Sequence, residues 1–265
     1  MKQQAEKKNC VCEVQNLITP ESRQKKINFD EYDGVIFGFP VYNERLPTVI
    51  EEWFVEHDFN LSEKKENRST IFFTFGGRDN EQGNQYAHYL LSKAGFSLWL
   101  AGEFVGPHTF NAGKGFKLAE NHPTEEDFEL AKEFVEKSID IFEGNGEPFQ
   151  MNKPIEEYVP FDHVAFVATF PKPFYNVFPQ RVTDTCSMCK KCEEICPVEA
   201  FDATTGKSDQ GKCIACMACV TVCPEEVIKV GDMTIPSIMM KLMYRYSARS
   251  TRKKKSRIFT EFPRP

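Results

Sequence analysis

Two stretches, CSMCKKCEEICP at residues 186–197 and CIACMACVTVCP at residues 213–224, decide the fold of the last third of this 265-residue chain. Both follow the spacing C-x-x-C-x-x-C-x-x-x-C-P, and together they hold eight of the ten cysteines. Three thiols separated by two-residue gaps lie on one short, curled backbone, so they converge on a common centre. The proline after the fourth cysteine restricts the backbone at that point. The repeat predicts metal centres built from thiolates.

This spacing is that of the bacterial iron–sulfur run, and two copies of it indicate two [4Fe–4S] clusters. In such domains the fourth cysteine of each run binds the cluster of the other run. The first set is then Cys186, Cys189, Cys192 and Cys223, and the second set is Cys213, Cys216, Cys219 and Cys196. Crossed ligation joins the two repeats, and metal binding supplies folding free energy to a domain with little apolar core. The expected apolar jacket is Ile195, Val198, Ile214, Val220, Val222 and Val227.

Structural zinc and disulfide bonds are the alternatives. Zinc sites take four ligands in two pairs and have no use for a third cysteine at this spacing. Disulfides need an oxidising compartment, whereas the start MKQQAEKKN lacks the apolar region of a secretory signal. No apolar stretch is long enough to span a bilayer, so a cytoplasmic protein is expected. Cys10 and Cys12 lie outside the pattern and are expected to pack as small apolar residues at a strand edge.

The first 146 residues alternate between predicted strands and helices. Residues 34–40, 69–75 and 96–105 are continuous apolar runs typical of strands buried on both faces, and residues 10–17 alternate weakly. Amphipathic patterns follow at residues 47–59, about 81–94 and about 123–142, and in the first of these Glu51 is expected on the solvent face. This order predicts an α/β domain with a parallel sheet.

The rest of the chain divides by composition. Residues 147–180, rich in proline and phenylalanine, are a predicted linker with an added strand at residues 163–170. Residues 181–232 form the small α+β domain of the cysteines. Residues 233–265 are a predicted basic tail, helical over residues 235–250 and then disordered. With nine basic residues against one acid from Lys241 onward, the tail is either a solvated segment or a dock for an acidic redox partner or an anionic membrane surface.

Two further stretches, FGFPVYNERLP at residues 37–47 and TFGGRDNEQGNQ at residues 74–85, resemble the flavodoxin-like domain of the flavodoxin–ferredoxin fusion proteins of anaerobes. The motif PHTF at residues 107–110 and the helix start PTEED at residues 123–127 continue the likeness. The resemblance implies that two turns flank the flavin ring of a bound FMN. Its contacts would be Pro40, Tyr42, Gly76 and Gly77, with the tyrosine stacked on the ring. Turn chemistry alone also explains these residues, since both motifs are typical of ordinary tight turns.

The chain departs from that family at its start. Flavodoxin-like domains open with a central apolar strand and a glycine-rich loop that holds the flavin phosphate. The early segment TPES at residues 19–22 has no glycine and carries an acid. The resemblance therefore implies a parallel sheet that is incomplete at its N-terminus, with MKQQAEKKN as the remnant of the first helix. Either the given sequence begins downstream of the lost strand, or the domain has lost tight binding of FMN.

Three functions follow from these patterns. The first is an electron-transfer protein, carrier or oxidoreductase component, that links a flavin to two iron–sulfur clusters. The second is a ferredoxin-type carrier whose α/β domain docks a partner and binds no flavin. The third is a non-redox protein that binds nucleic acid through the tail, although the net charge of −6 gives no overall nucleic-acid signature. The five histidines are scattered, and no catalytic arrangement stands out.

Overall fold

The computed structural model describes residues 1–42, 45–62, 66–77, 81–151, 159, 162, 177–232, 234, 238 and 255–261. In those ranges the helices are α1 (Lys2–Lys7), α2 (Pro20–Arg23), α3 (Thr48–Glu56), α4 (Glu81–Lys93), α5 (Glu125–Phe142), α6 (Lys191–Glu194) and α7 (Ala218–Val222). The strands are β1 (Val35–Pro40), β2 (Arg68–Phe75), β3 (Ser97–Val105), β4 (Gln180–Arg181), β5 (Phe201–Asp202), β6 (Lys207–Ser208), β7 (Ile228–Lys229) and β8 (Arg257–Phe259). They form two four-stranded sheets, ordered β1-β2-β3-β8 and β5-β6-β4-β7.

The first sheet has the parallel arrangement that the apolar runs predict. β1 pairs with β2 and β2 with β3, each in the parallel sense, and α3 and α4 lie between the strands in sequence. β3 is buried from Leu98 to Val105, as a strand covered on both faces requires. All three parallel strands therefore end at the same edge of the sheet, which we call the carboxyl edge.

Phenylalanine fills both faces of this sheet. On one face Phe37 and Phe73 lie in a buried cluster with Trp53 of α3 and Leu90 of α4. On the other face a second cluster joins strand residues to α5, which contributes Phe134 with no exposed surface. The layers are thus helix, sheet and helix, which is the arrangement expected when a parallel sheet is covered on both sides.

Helix starts follow the local sequence, but one helix face differs from the expectation. At the start of α5, Thr124 accepts a hydrogen bond from the Asp127 N–H, and the Asp127 carboxylate accepts one from the Thr124 N–H at 2.6 Å. In α3, Glu51 is fully buried, so its placement on the solvent face was wrong. Arg45 donates two hydrogen bonds of 2.9 Å to that carboxylate, and this bidentate pairing accounts for the burial.

The segment before β1 does not supply a strand. Residues 10–17, all of them described, have no regular secondary structure, so the strand predicted there was wrong, and Cys10 and Cys12 are half-buried rather than buried at a strand edge. The first residues instead form α1, and Gln4 donates a hydrogen bond of 2.9 Å to Glu136 of α5. The weak alternation of residues 10–17 carried too little apolar surface to compete for an edge of the sheet.

The end of the basic tail is ordered, which corrects the expectation of disorder. β8 pairs with β3 in the antiparallel sense, with Ile258 opposite Gly102, and so adds a strand to the edge of the parallel sheet. Arg257 donates a hydrogen bond of 2.6 Å to the buried carboxylate of Glu103. This short apolar strand was hidden in the sequence by the basic residues that precede it.

The second sheet belongs to the cysteine-rich part. β4 pairs with β6 and β7, and β5 pairs with β6, all in the antiparallel sense. Among the described residues, no helix is both long and apolar enough to cross a membrane. The strand predicted at residues 163–170 lies outside the described residues, as does the helix predicted at residues 235–250 except for Ile238.

Candidate iron–sulfur centre

The two cysteine runs share one backbone conformation. In the first loop (residues 186–192) Met188 and Lys190 have φ angles of 57° and 61°, and in the second loop (residues 213–219) Ala215 and Met217 have φ angles of 55° and 62°. Non-glycine residues avoid this left-handed region unless the fold requires it. Alternation of left- and right-handed residues turns successive N–H groups toward one centre, which suits a group that carries negative charge.

The second set of cysteines shares one cavity. Its wall includes Cys196, Cys213, Cys216 and Cys219, together with apolar neighbours such as Ile214 and Met217. Cys196 comes from the first run and the other three from the second run, so the crossed arrangement expected from the spacing places these four thiols around one space. All ten cysteines of the chain are free thiols.

Burial controls the protonation of these thiols. Desolvation, together with the neighbouring Cys213 and Cys196, raises the pKa of Cys216 to about 11, against the effect of a hydrogen bond from the Ala218 N–H. Desolvation and the same neighbours also raise the pKa of Cys219. A thiol in this environment gives up its proton only when a positive centre replaces it, so metal loading is expected to release protons.

Backbone N–H groups point at the sulfur atoms. The Ala200 N–H donates to Cys196 Sγ at 3.1 Å, and the Met188 N–H donates to Cys186 Sγ at 3.4 Å. Such N–H···S bonds stabilise the negative charge of a reduced cluster and so help to set its potential. Thiols, N–H donors and an apolar wall are the donor set of a [4Fe–4S] cluster, and these residues fit that group.

The first set is more open than the second. Cys192 is buried, and Cys186 and Cys223 are packed against the same apolar cluster, which also holds Val227. Cys189 is exposed. Of the expected jacket, Val198 and Val220 pack against the cysteine clusters and Ile214 lines the cavity of the second set; Ile195 and Val222 are half-buried. Among the described residues, no three His, Cys, Asp or Glu side chains converge as the ligands of a single metal ion.

The residues that the flavodoxin resemblance assigned to a flavin do meet at the carboxyl edge. β1 ends at Pro40, and Tyr42 follows in a turn closed by its N–H, which donates to the Arg45 carbonyl at 2.8 Å. Burial, and then the nearby Cys216, raise the pKa of the Tyr42 hydroxyl above its ordinary value. Gly76 and Gly77 follow β2, and Gly77 has a φ of 77°, as a turn glycine does.

The space over these glycines is occupied by the protein itself. A Cβ on Gly76 would lie 2.5 Å from His108 Cδ2 and 2.8 Å from His108 Cα, and one on Gly77 would touch Ala119 at 3.4 Å. Both neighbours belong to residues 106–124, the connection between β3 and α5, which we call the capping loop. Gly76 is therefore small because this loop lies against it, whereas the positive φ of Gly77 by itself favours glycine. The residues do not fit a flavin ring in this arrangement, and FMN binding stays a prediction.

The capping loop also covers the second set, a contact that the sequence patterns did not predict. Phe116, only 3% exposed, lies in one buried cluster with Cys196, Cys213 and Met217. Phe110 and Leu118 pack against the same cluster. The signal that could have revealed this contact is the recurrence of apolar residues at alternate or near-alternate positions of an otherwise polar stretch.

A second contact joins the two halves of the chain near the fourth cysteine of the first run. Arg23, at the end of α2, donates a hydrogen bond of 2.8 Å to the carbonyl of Pro197. Lys114 of the capping loop forms an exposed ion pair of 3.7 Å with Asp232, which contributes little by itself. These two contacts and the packing of Phe116 thus join the α/β half of the chain to the cysteine-rich half.

Residues 178–232 match the family model described as "4Fe-4S dicluster domain". A curated protein of Methanosarcina acetivorans, named as a subunit of an ion-translocating oxidoreductase complex, is 47% identical over 47 residues, which make up 17% of this chain and 18% of that protein. The chain thus spans less than a fifth of the length of that relative. No solved structure matches the chain. The similarities support a ferredoxin-type iron–sulfur domain and electron transfer.

Proposed function

We propose that the protein is an electron carrier with two [4Fe–4S] clusters and that its α/β domain is a docking and covering module that binds no flavin. The first cluster is held by the first set and the second cluster by the second set. The observation that carries this proposal is the cavity whose wall combines Cys196 with Cys213, Cys216 and Cys219. Crossed ligation of this kind is the property that distinguishes two-cluster domains from two unrelated sites.

The chain's own residues supply the environment of the clusters. Eight thiolates would ligate the irons, and the N–H groups of Met188 and Ala200 donate to the sulfur atoms of Cys186 and Cys196. The buried apolar residues exclude water, which lowers the local dielectric and so makes the potential sensitive to the hydrogen bonds. Each cluster, when bound, supplies the chemistry of one-electron exchange.

An oxidoreductase protein is the proposed exchange partner. The name of the relative, a subunit of an ion-translocating oxidoreductase complex, supports this class of partner. Docking of an acidic partner or an anionic membrane by the basic tail stays a prediction, because residues 239–254 lie outside the described part of the chain.

Electron exchange with FMN at the carboxyl edge is the second candidate. It is favoured by one observation, the proximity of Tyr42 to Cys216, which would put a flavin beside the second set. The packing of His108 on Gly76 opposes it. Titration of the reconstituted protein with FMN decides between the candidates: a dissociation constant at or below micromolar would reject the docking-module proposal.

The test of the clusters is anaerobic reconstitution of the full chain, followed by iron and sulfide analysis and EPR. We expect about eight irons per chain, the content of two cubane clusters. The double variant Cys10→Ser/Cys12→Ser, outside both sets, should keep this content, whereas Cys192→Ser should lower it. Zinc in place of iron, or four irons in the unaltered chain, would contradict the two-cluster proposal.

A further inference from the structure

The two loops form an internal comparison, since their backbones match but their surroundings differ. Met188 of the first loop is 42% exposed, whereas Ala215 at the corresponding position of the second loop is 5% exposed. Lys190 is exposed, whereas its counterpart Met217 is 1% exposed. Because the φ angles at these positions agree within a few degrees, the difference in exposure does not come from the backbone conformation of the loops.

The side chains of the two loops differ in the same sense. Ser187, Lys190 and Lys191 of the first loop are replaced by Ile214, Met217 and Ala218 in the second. Polar and charged side chains suit a loop that faces water, and apolar ones suit a loop covered by protein. The sequence of the repeat and the packing therefore agree on which loop is covered.

The cover over the second loop is held together by its own internal contacts. Within the capping loop, Asn111 and Leu118 exchange two hydrogen bonds of 2.9 Å, which hold the chain on both sides of Phe116. The ring of His108 packs against the Phe116 ring with centroids 5.0 Å apart. The cover thus consists of several mutually packed groups, and its removal would require the capping loop to leave the carboxyl edge.

We propose that the first loop is the electron port of the protein, the surface where a redox partner protein exchanges electrons, and that the capping loop denies such partners access to the second set. The proposal rests on the proposed function and adds which of the two clusters exchanges electrons with the partner. In each exchange one electron leaves the reduced partner and arrives at the cluster of the first set, and no bond or proton changes place. The second set then communicates with partners only through the first.

The first test labels each set separately in the holoprotein. Cys189→Asp and Cys216→Asp change the same repeat position in the two sets, and loss of one thiolate converts a [4Fe–4S] cluster into a three-iron cluster with an EPR signal in the oxidised state. A dissolved dysprosium chelate then enhances the relaxation of whichever label it approaches. We expect the larger enhancement for Cys189→Asp, and Phe116→Ala added to Cys216→Asp should raise the enhancement there.

The second test uses charge and leaves both sets intact. Lys190 lies in the first loop and Lys212 directly precedes Cys213, and both are exposed. Reduction is followed by stopped flow with the anionic dithionite radical and with the cationic reduced methyl viologen. At 10 mM ionic strength, Lys190→Glu should slow reduction by the anion and speed reduction by the cation, each by about fivefold, for a unit charge that passes ~7 Å from the side chain. The effect on both rates should nearly vanish at 1 M ionic strength, where the charges are screened. Lys212→Glu should change neither rate by more than a small part of that.

The outcomes separate this proposal from the proposed function. Fewer than about eight irons in the unaltered chain would remove the clusters themselves. With a full iron content, equal relaxation enhancement for the two labels, or a larger rate effect for Lys212→Glu than for Lys190→Glu, would overturn the electron port alone.

Discussion

The contact between Gly76 and His108 gives a sharp test of the capping loop. A methyl group on Gly76 would lie 2.5 Å from Cδ2, 2.7 Å from Cβ and 2.8 Å from Cα of His108. Carbon atoms pack at about 3.5–4.0 Å, so each contact falls short by roughly 1 Å. The ring can rotate away, but the Cα belongs to the backbone, and the capping loop has to move. Overpacking of this kind costs about 1–3 kcal/mol.

The matched control is Gly106→Ala at the start of the capping loop, where an added Cβ has no neighbour within 4 Å. Both tryptophans of the chain, Trp53 and Trp99, lie in the α/β domain, so fluorescence reports its unfolding while the visible absorbance of the clusters reports the other half. With a urea slope of about 2 kcal/mol/M, Gly76→Ala should lower the fluorescence midpoint by about 0.5–1.5 M, and Gly106→Ala should leave it nearly unchanged.

The same variant should loosen the cover of the second set. If the capping loop opens 1–3 kcal/mol more easily, its open fraction rises roughly 5- to 150-fold, and release of iron to a chelator from the holoprotein should accelerate. Adding His108→Ala removes the Cδ2 contact but keeps Cβ and Cα, so it should recover only part of the lost stability. Equal midpoints for Gly76→Ala and Gly106→Ala would refute the packing of His108 on this turn.

Three further predictions concern buried charges, with exposed Glu126→Gln as their control, expected to change the free energy of unfolding by about 0.5 kcal/mol or less. Glu51→Gln should destabilise by about 3–5 kcal/mol in urea unfolding, because it removes the charge of the buried carboxylate to which the buried Arg45 guanidinium donates two hydrogen bonds. Burial would raise the pKa of Asp127, but hydrogen bonds from Ser256, Thr124 and His122 outweigh it and lower the pKa to about 2. A carboxylate whose pKa is lower in the folded state stabilises the fold at pH values above its unfolded pKa. Asp127→Asn should therefore lower the free energy of unfolding by about 2 kcal/mol at pH 7, and this loss should shrink as the pH falls from about 4 toward 2. A loss of stability that is independent of pH would contradict this explanation. Arg257→Ala should cost about 1.5–3 kcal/mol by removing a donor to the buried Glu103 carboxylate, and a loss no larger than the control's would argue against β8.

Local patterns account for the parts of the fold that the sequence revealed. The cysteine spacing brings its thiols together over a few residues, and the runs at residues 34–40, 69–75 and 96–105 are apolar enough to be buried wherever the sheet forms. The start of helix α5 is predicted by Thr124 and Asp127, because the side chain of each accepts a hydrogen bond from the backbone N–H of the other. None of these features depends on a distant partner, so their interpretation needed no knowledge of the tertiary structure.

The features that sequence reasoning missed all depend on distant partners. Glu51 is buried because Arg45 reaches it, and nothing in the helical pattern distinguishes it from its exposed neighbours. β8 forms because the edge of β3 is free to accept a strand from the far end of the chain. Phe116 packs on the second set although it is separated from it by the whole of α5 and the linker. The composition of a segment describes that segment alone, whereas the burial and pairing of these residues depend on the distant parts of the chain that they contact.

The contact between the capping loop and the second loop also bears on whether the α/β domain is a mobile module. Phe116 and Met217 are 3% and 1% exposed. Separation of the two halves would expose both side chains at a cost of about 1.5–3 kcal/mol each. The hydrogen bond from Arg23 to the Pro197 carbonyl would be exchanged for water at the same time. Because the halves are covalently linked, the contact forms at a high effective concentration, and even this modest free energy keeps it closed. The α/β domain is then a constant part of the environment of the second set. A change in its packing should shift the reduction potential of the second cluster more than that of the first.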